Sequence, residues 1–334
     1  MIEGGKVISH KGMNLPDSKL SISALTDKDK KDLRFGVEHN VDLVAMSFVE
    51  NAKDILDVKF LIKEYEKELK IKNQPPIRVI AKIERHKAVG NIKEIIEVAD
   101  GIMVARGDLG LEMPAAEVPL IQKEIIDMAN EAAIPVIVAT QMLDSMQRNR
   151  RPTRAEVSDV ANAVIDHADG LMLSNETAVG KHPVLTVKTM AEIAIKAEGS
   201  VYDDKELPEI KKGNAEVDDA ISDMARILSE ELNAKLVIAA SFSGETGRLI
   251  SRVRPNLTIL VATNTERVQR QLNISWGIRP FILMPCRSIE ELVERSILYI
   301  KKNKMAKKGD RMIIVAGEPV GQAGKVNLVE VREI

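Results

Sequence analysis

An α/β protein, built on a parallel sheet and followed by a second, smaller α/β unit, is what this sequence predicts. Three observations carry that reading. Five short apolar runs, Val41–Phe48, Ile77–Ile83, Gly101–Ala105, Pro135–Ala139 and Gly170–Leu173, are each followed by an amphipathic, helix-like segment. Their starts lie 24 to 36 residues apart, the length of one βα unit with ordinary loops. Polar residues gather at the C-terminal ends of the runs and not at their N-terminal ends. Five successive units mean a parallel sheet covered by helices, either doubly wound or a (β/α) barrel. The one-sided polarity is what a site at one mouth of a barrel produces.

At 334 residues the chain can bury a large core and divides more naturally into two domains than one. Its 45% hydrophobic and 29% charged residues are those of a globular protein in water. A net charge of −2 gives no bulk attraction to nucleic acid or to an anionic membrane, and 3% aromatics leave little surface for stacking bases. The single cysteine, Cys286, excludes an intrachain disulfide framework and a cysteine-rich zinc site. No apolar run is long enough to span a bilayer, and Met1-Ile-Glu-Gly-Gly-Lys6 has no signal-peptide pattern, so the expected location is the cytoplasm.

In chain order, residues 1–17 are Gly-rich and polar and read as the tail of another unit rather than the start of a fold. Thr26-Asp-Lys-Asp29 has the form of a capping box, opening a helix through about Glu38 with Leu33 and Val37 on one face. The five runs follow. The second ends in Lys82 and Glu84, and the third in Arg106-Gly107-Asp108. The fourth ends in Thr140-Gln141, and the fifth in Ser174-Asn175-Glu176-Thr177. No Gly-x-Gly-x-x-Gly or Walker A pattern follows any of them, which counts against dinucleotide and P-loop sites. Between the fourth and fifth runs, Arg148, Arg150 and Arg151 form a basic loop ahead of a second capping box at Thr153–Glu156. That loop reads equally as an anion or subunit contact and as a solvated turn.

Polar residues from about 201 to 214 mark a linker, and a second α/β pattern begins at Ala215. It contains a helix to Leu232, a strand at Leu236–Ala240, and further strands near Leu257–Ala262, Pro280–Leu283, Arg311–Ala316 and Asn327–Val331. The turn after the first strand, Ser241-Phe-Ser243-Gly244-Glu-Thr246, joins a strand to a helix N-terminus. It is a phosphate nest in one reading and a plain helix cap in the other.

Lys82, Glu84 and Asp108 are the residues on which a chemical reading rests. As isolated residues they read as solvated loop charges; at successive strand ends they form one cluster of a cation and two carboxylates. Two carboxylates suit a hard divalent cation such as Mg²⁺ that leaves positions open for substrate oxygens. The lysine would stabilise negative charge developing on an enolate or a transferring phosphoryl group. Residue chemistry alone reaches Mg²⁺-dependent enolate or phosphoryl chemistry on a small anion.

A resemblance extends this. Val79-Ile-Ala-Lys-Ile-Glu84, Met103-Val-Ala-Arg-Gly-Asp-Leu-Gly110, Ala139-Thr-Gln-Met-Leu143, Arg151-Pro-Thr-Arg-Ala-Glu156 with Ser158–Ala163, and Leu171–Ser174 resemble the pyruvate kinase family. So does Gly317–Gly324 followed by Asn327-Leu328, and the likeness runs over the whole chain in family order. It implies phosphoryl transfer from phosphoenolpyruvate to ADP, giving pyruvate and ATP in glycolysis, with Mg²⁺ (or Mn²⁺) and K⁺, usually in a homotetramer. By the same resemblance Lys82 stabilises the enolate transition state, and Glu84 and Asp108 bind the metal. Ala105, Arg106 and Gly107 form the backbone cradle of the substrate carboxylate, Thr140 binds substrate, and Ser174 serves the water relay that protonates the enolate. The turn containing Ser241, Ser243, Gly244 and Thr246 falls where some members bind a sugar-phosphate effector. Asn175 stands where the family has glycine; asparagine can follow glycine into left-handed backbone geometry but adds a side chain near the relay.

The implied architecture is the last five βα units of a TIM (β/α)₈ barrel over residues 18–200. A remnant of the family's inserted lid precedes it at 1–17, and after a linker at 201–214 comes a regulatory α/β domain at 215–334. The family's early strands, their arginine and K⁺ ligands, and most of the nucleotide-binding lid have no counterpart here. The expectation is a sheet with two open edges, active when a longer reading frame or a separate chain supplies the remainder. A Mg²⁺-dependent 2-oxo-acid lyase or decarboxylase, and a non-catalytic effector-binding or interaction module, are the alternatives.

Overall fold

The computed structural model describes residues 25–204, 216–317 and 326–334. Two five-stranded sheets organise them. The first is entirely parallel, in the order β1 (Leu43–Met46), β2 (Arg78–Ile83), β3 (Gly101–Ala105), β4 (Val136–Ala139) and β5 (Gly170–Met172). Strand order follows chain order because every connection is a helical crossover on the same side. Its described strands leave β1 and β5 as edges. A groove of about 680 Å³, lined by Leu33, Val41, Leu43, Met46 and Phe48 among others, runs beside β1.

The period of two along each strand sorts the side chains between faces. Val79, Ala81 and Ile83 of β2, with Ile102 and Val104 of β3, are fully buried against the helices. There they meet Ile55 of helix Ala52–Glu68 and Ile125 and Ile126 of helix Val118–Glu131. The other face carries a smaller cluster, Ile80, Met103 and Ala139, with Leu43, Ile137 and Met172 around it. Lys82 shares that face with Ile80, and so lies on the side of the sheet away from the main core. Both predicted capping boxes form. Thr26 and Asp29 exchange side-chain and backbone bonds at the start of helix Asp27–Glu38, as do Thr153 and Glu156 at the start of helix Arg154–Ile165.

The second sheet has the order β10 (Leu328–Glu333), β9 (Arg311–Ala316), β6 (Leu236–Ala240), β7 (Thr258–Thr263) and β8 (Ile278–Ile282), with only β10 antiparallel. The helix predicted from Ala215 to Leu232 is observed over Val217–Glu231. The expected lid remnant at 1–17, most of the expected linker at 201–214 and residues 318–324 of the last motif lie outside the described residues.

The N-terminal ends of the first sheet's strands also bear polar residues, but these serve architecture. Asp100 accepts a bond from the Val79 N–H at 2.8 Å, and Asp169 accepts one from Val136 at 2.9 Å, stapling each strand to its neighbour. This same end receives the second unit. Arg254 donates to Asn130 Oδ1 and the His167 carbonyl. Gln271 donates to the carbonyls of Asp42 and Pro76, and Arg78 donates to the Ser243 carbonyl. The opposite, C-terminal rim is thereby left for chemistry.

Candidate active site

Lys82 and Glu84 stand at the end of β2, two residues apart and so on one face. Lys82 Nζ lies 2.5 Å from Glu84 Oε1 and donates to the Ser47 hydroxyl at 2.7 Å. The second carboxylate oxygen, Oε2, accepts from the Phe48 N–H at 2.7 Å. Glu84 is 2% exposed, so it is not a solvated loop charge. A carboxylate this buried requires both partners, since an unpaired ion there would be costly. Phe48 reaches it from a left-handed backbone (φ 55°), while its ring lies under the Arg85 guanidinium at 5.3 Å.

The neighbouring strand ends in Ala105, from which Arg106–Glu112 turns directly into a short helix. Arg106 reaches across to helix Arg154–Ile165. Its guanidinium makes a two-pronged pair with Asp159 at 2.6 and 2.7 Å and donates to the Thr140 carbonyl at 2.9 Å. The Gly107 N–H donates to the Thr140 hydroxyl at 2.7 Å, and that hydroxyl donates to the Ala139 carbonyl at 2.6 Å. Thr140 and Gln141 both have positive φ, 72° and 54°, a costly backbone for non-glycine residues that these contacts hold in place. Asp108 lies in the first turn of the helix, partly exposed.

At the end of β5, Glu176 is 1% exposed and accepts from the Ser174 N–H at 2.8 Å and the Leu143 N–H at 3.2 Å. It ties the β5 end to the loop after β4. Asn175 opens helix Asn175–Ala178 and is not among the residues with positive φ. The replacement of glycine therefore asks for no left-handed backbone here.

Strand register gathers these groups. Ile83 lies opposite Val104, and Ala105 opposite Ala139, so Lys82, Glu84, Gly107, Asp108 and Thr140 occupy adjoining positions on one rim. Ser174 follows on β5, beside β4. Among the described residues no three His, Cys, Asp or Glu side chains converge as a metal site. Glu84 and Asp108 supply two hard oxygen donors, the number that suits Mg²⁺ when water and substrate oxygens complete its shell.

Three contributors escape a residue-pattern reading. Ser47 is the last residue but one of the first apolar run, Val41–Phe48, where the polar-end rule that singled out Lys82 could have found it. Glu176 was visible only as one of a polar quartet. Asp159 lies inside a helix and carries no local signal. Arg148, Arg150 and Arg151 are exposed.

The Ser241–Thr246 turn is elsewhere, after β6. Gly244 has φ 82°, and a Cβ there would lie 2.7 Å from Leu272. Two N–H groups of the turn already use its own hydroxyls, Thr246 with Ser241 and Glu245 with Ser243, both at 3.4 Å. The Ser243 carbonyl accepts from Arg78 at 2.9 Å and from Arg248 at 3.4 Å. Burial, then the nearby Arg78 charge, pushes the Arg248 guanidinium down to about 9.

The family models for the pyruvate kinase barrel domain and the pyruvate kinase alpha/beta domain match residues 1–187 and 219–332. The pyruvate kinase of Sporosarcina psychrophila is 41% identical over 100% of this chain and 56% of its own length. That of Clostridium acetobutylicum is 42% identical over 99% of this chain and 68% of its own length. A crystal structure of a pyruvate kinase from Cryptosporidium parvum superposes with a TM-score of 0.85 at 36% identity, over 96% of this chain and 64% of that one. The chain thus spans a little over half the length of several curated relatives. With both units matched, the chain belongs to the pyruvate kinase family.

Proposed function

We propose that this chain carries the enolate half of pyruvate kinase chemistry, within a protein that transfers phosphate from phosphoenolpyruvate to ADP and yields pyruvate and ATP in glycolysis. The observation that carries the reading is the pairing of Lys82 with the buried Glu84 at the end of β2, next to the Gly107–Thr140 contact at the ends of β3 and β4. Lys82 would stabilise the enolate oxygen, Thr140 and the Ala105–Gly107 backbone would hold the substrate, and Ser174 would serve proton delivery. Glu84 and Asp108 would hold Mg²⁺ or Mn²⁺, which when bound offsets negative charge on the substrate oxygens. Neither K⁺ ligands nor ADP contacts are assigned to residues of this chain. Both are placed in the part of the relatives' length that it does not span.

The same reading makes the first sheet the last five units of a (β/α)₈ barrel. It keeps the boundaries at 18–200, 201–214 and 215–334, with 1–17 belonging to the lid. It also takes the Ser241, Ser243, Gly244 and Thr246 turn as an effector phosphate site, the assembly as a homotetramer and the location as the cytoplasm. Family membership supports these; among the described residues no helix is long and apolar enough to cross a membrane.

Two measurements test the proposal. The first is exchange of the pyruvate methyl protons with deuterated solvent, which needs Lys82 and the metal but no nucleotide. The expected result is Mg²⁺-dependent exchange that falls by about 10²–10³ in Lys82→Met. The second is pyruvate release from phosphoenolpyruvate, ADP, Mg²⁺ and K⁺. Exchange that is indifferent to both Lys82 and Mg²⁺ would overturn the assignment. Full-rate turnover by the chain alone would overturn the placement of nucleotide and K⁺ contacts outside it.

A further inference from the structure

We infer that Ser47 is a positioning residue for the Lys82 ammonium: its hydroxyl holds Nζ at the rim when the Glu84 carboxylate turns to a divalent cation. This rests on the metal and enolate reading above. The Phe48 N–H occupies Glu84 Oε2 at 2.7 Å, so Oε1 is the oxygen left to offer a cation, and Oε1 is the atom that holds Lys82 Nζ. An ammonium and a divalent cation repel each other across one oxygen, so the ammonium must find another acceptor. The Lys82 side chain is only 23% exposed, and losing a partner in such a place costs more than losing one in water.

Ser47 is already there, 2.7 Å from Nζ. Register places it: Met46 of β1 lies opposite Ala81 of β2, so the next residue of each strand is Ser47 and Lys82. The left-handed step at Phe48 (φ 55°) then carries the following N–H to Glu84. One dipeptide thus serves both charges, a hydroxyl for the ammonium and an amide for the carboxylate. A role for Ser47 as the cap of the next helix is filled instead by Asn51, which accepts from the Asp54 N–H.

The test is Mn²⁺ binding to the full chain, followed by loss of the free-ion paramagnetic resonance signal, with the wild type, Ser47→Ala, Ser47→Thr and Glu84→Gln. Pyruvate methyl exchange is measured on the same preparations, and thermal unfolding controls for folding. Glu84→Gln is expected to lose most Mn²⁺ binding. Ser47→Ala should bind about 3- to 10-fold more weakly, and should lower the maximal exchange rate more than it raises the pyruvate KM. Ser47→Thr, which keeps the hydroxyl, should stay within about twofold of wild type. Wild-type Mn²⁺ binding in Ser47→Ala, or equal loss in Ser47→Ala and Ser47→Thr, overturns the role of the hydroxyl while leaving the metal reading intact. Wild-type binding in Glu84→Gln overturns the metal reading and this inference with it.

Discussion

Arg254 of the second unit and Asp169, just before β5 of the first, form an ion pair at 3.2 Å with side chains only 3% and 5% exposed. Asp169 also accepts from the Trp276 N–H at 2.9 Å, and the Arg254 guanidinium lies over the Trp276 ring at 5.1 Å. Arg254 Nη2 is also bonded to Asn130 and the His167 carbonyl while its buried Nε finds no partner, and removing one member of so dry a pair leaves a buried charge alone. Arg254→Met is expected to destabilise the protein by about 3–5 kcal/mol. Urea unfolding checks this, with the transition of the second unit expected to separate from that of the first. A loss under about 1 kcal/mol would mean that the pair contributes as little as a surface pair.

Gly107 sets the spacing of the rim. A Cβ there would lie 3.3 Å from Thr140 Oγ1 and 3.4 Å from Thr140 Cβ, tighter than ordinary contact. Gly107→Ala is therefore expected to shift the Thr140 hydroxyl and weaken substrate binding. A rise of about tenfold in the pyruvate KM of methyl exchange, with unfolding changed by less than about 1 kcal/mol, is the expected outcome. An unchanged KM would show that Thr140 does not position the substrate.

Gly180 acts through packing alone. A Cβ there would stand 2.2 Å from the Glu176 carbonyl oxygen and 3.2 Å from Gln147 Cα, both backbone atoms that cannot rotate away. Gly180→Ala should cost about 1–3 kcal/mol and disturb the Glu176 bonds to Ser174 and Leu143. Thermal unfolding and the amide chemical shifts of residues 143 and 174 report the two effects separately.

Asp203 gives the junction a pH dependence. Burial first, then the charge of Glu198, raises its carboxyl from 3.8 to about 6. The folded state thus holds this proton more tightly than the unfolded chain does. The resulting stabilisation is complete below about pH 3.8 and is lost as pH rises through about 6. Asp203→Asn should remove that slope and raise stability at pH 7.5 by about 1 kcal/mol, a figure reduced for the carboxyl's partial exposure. Urea unfolding at a series of pH values checks the sign. A variant less stable than wild type at pH 7.5 would contradict it.

Much of this protein was legible in the chain itself. Apolar runs of strand length, spaced one βα unit apart, determined two sheets and nearly all of their strands. Thr26–Asp29 and Thr153–Glu156 determined where two helices start, because a capping box is a contact between residues three apart. The polar run-ends picked out Lys82, Glu84, Asp108, Thr140 and Ser174. These are local signals, set by backbone geometry within a few residues.

Tertiary structure decided the partners. Which oxygen of Glu84 meets Lys82, and that Ser47 and Phe48 of another strand hold the pair, depends on the β1–β2 register 35 residues away in sequence. That Arg106 pairs with Asp159 depends on a helix 53 residues on. Asp100 and Asp169, indistinguishable in composition from the rim carboxylates, became staples because they fell at the other end of the same strands. Burial and the pairing of charges are properties of what lies across a contact, and no periodicity along the chain encodes them.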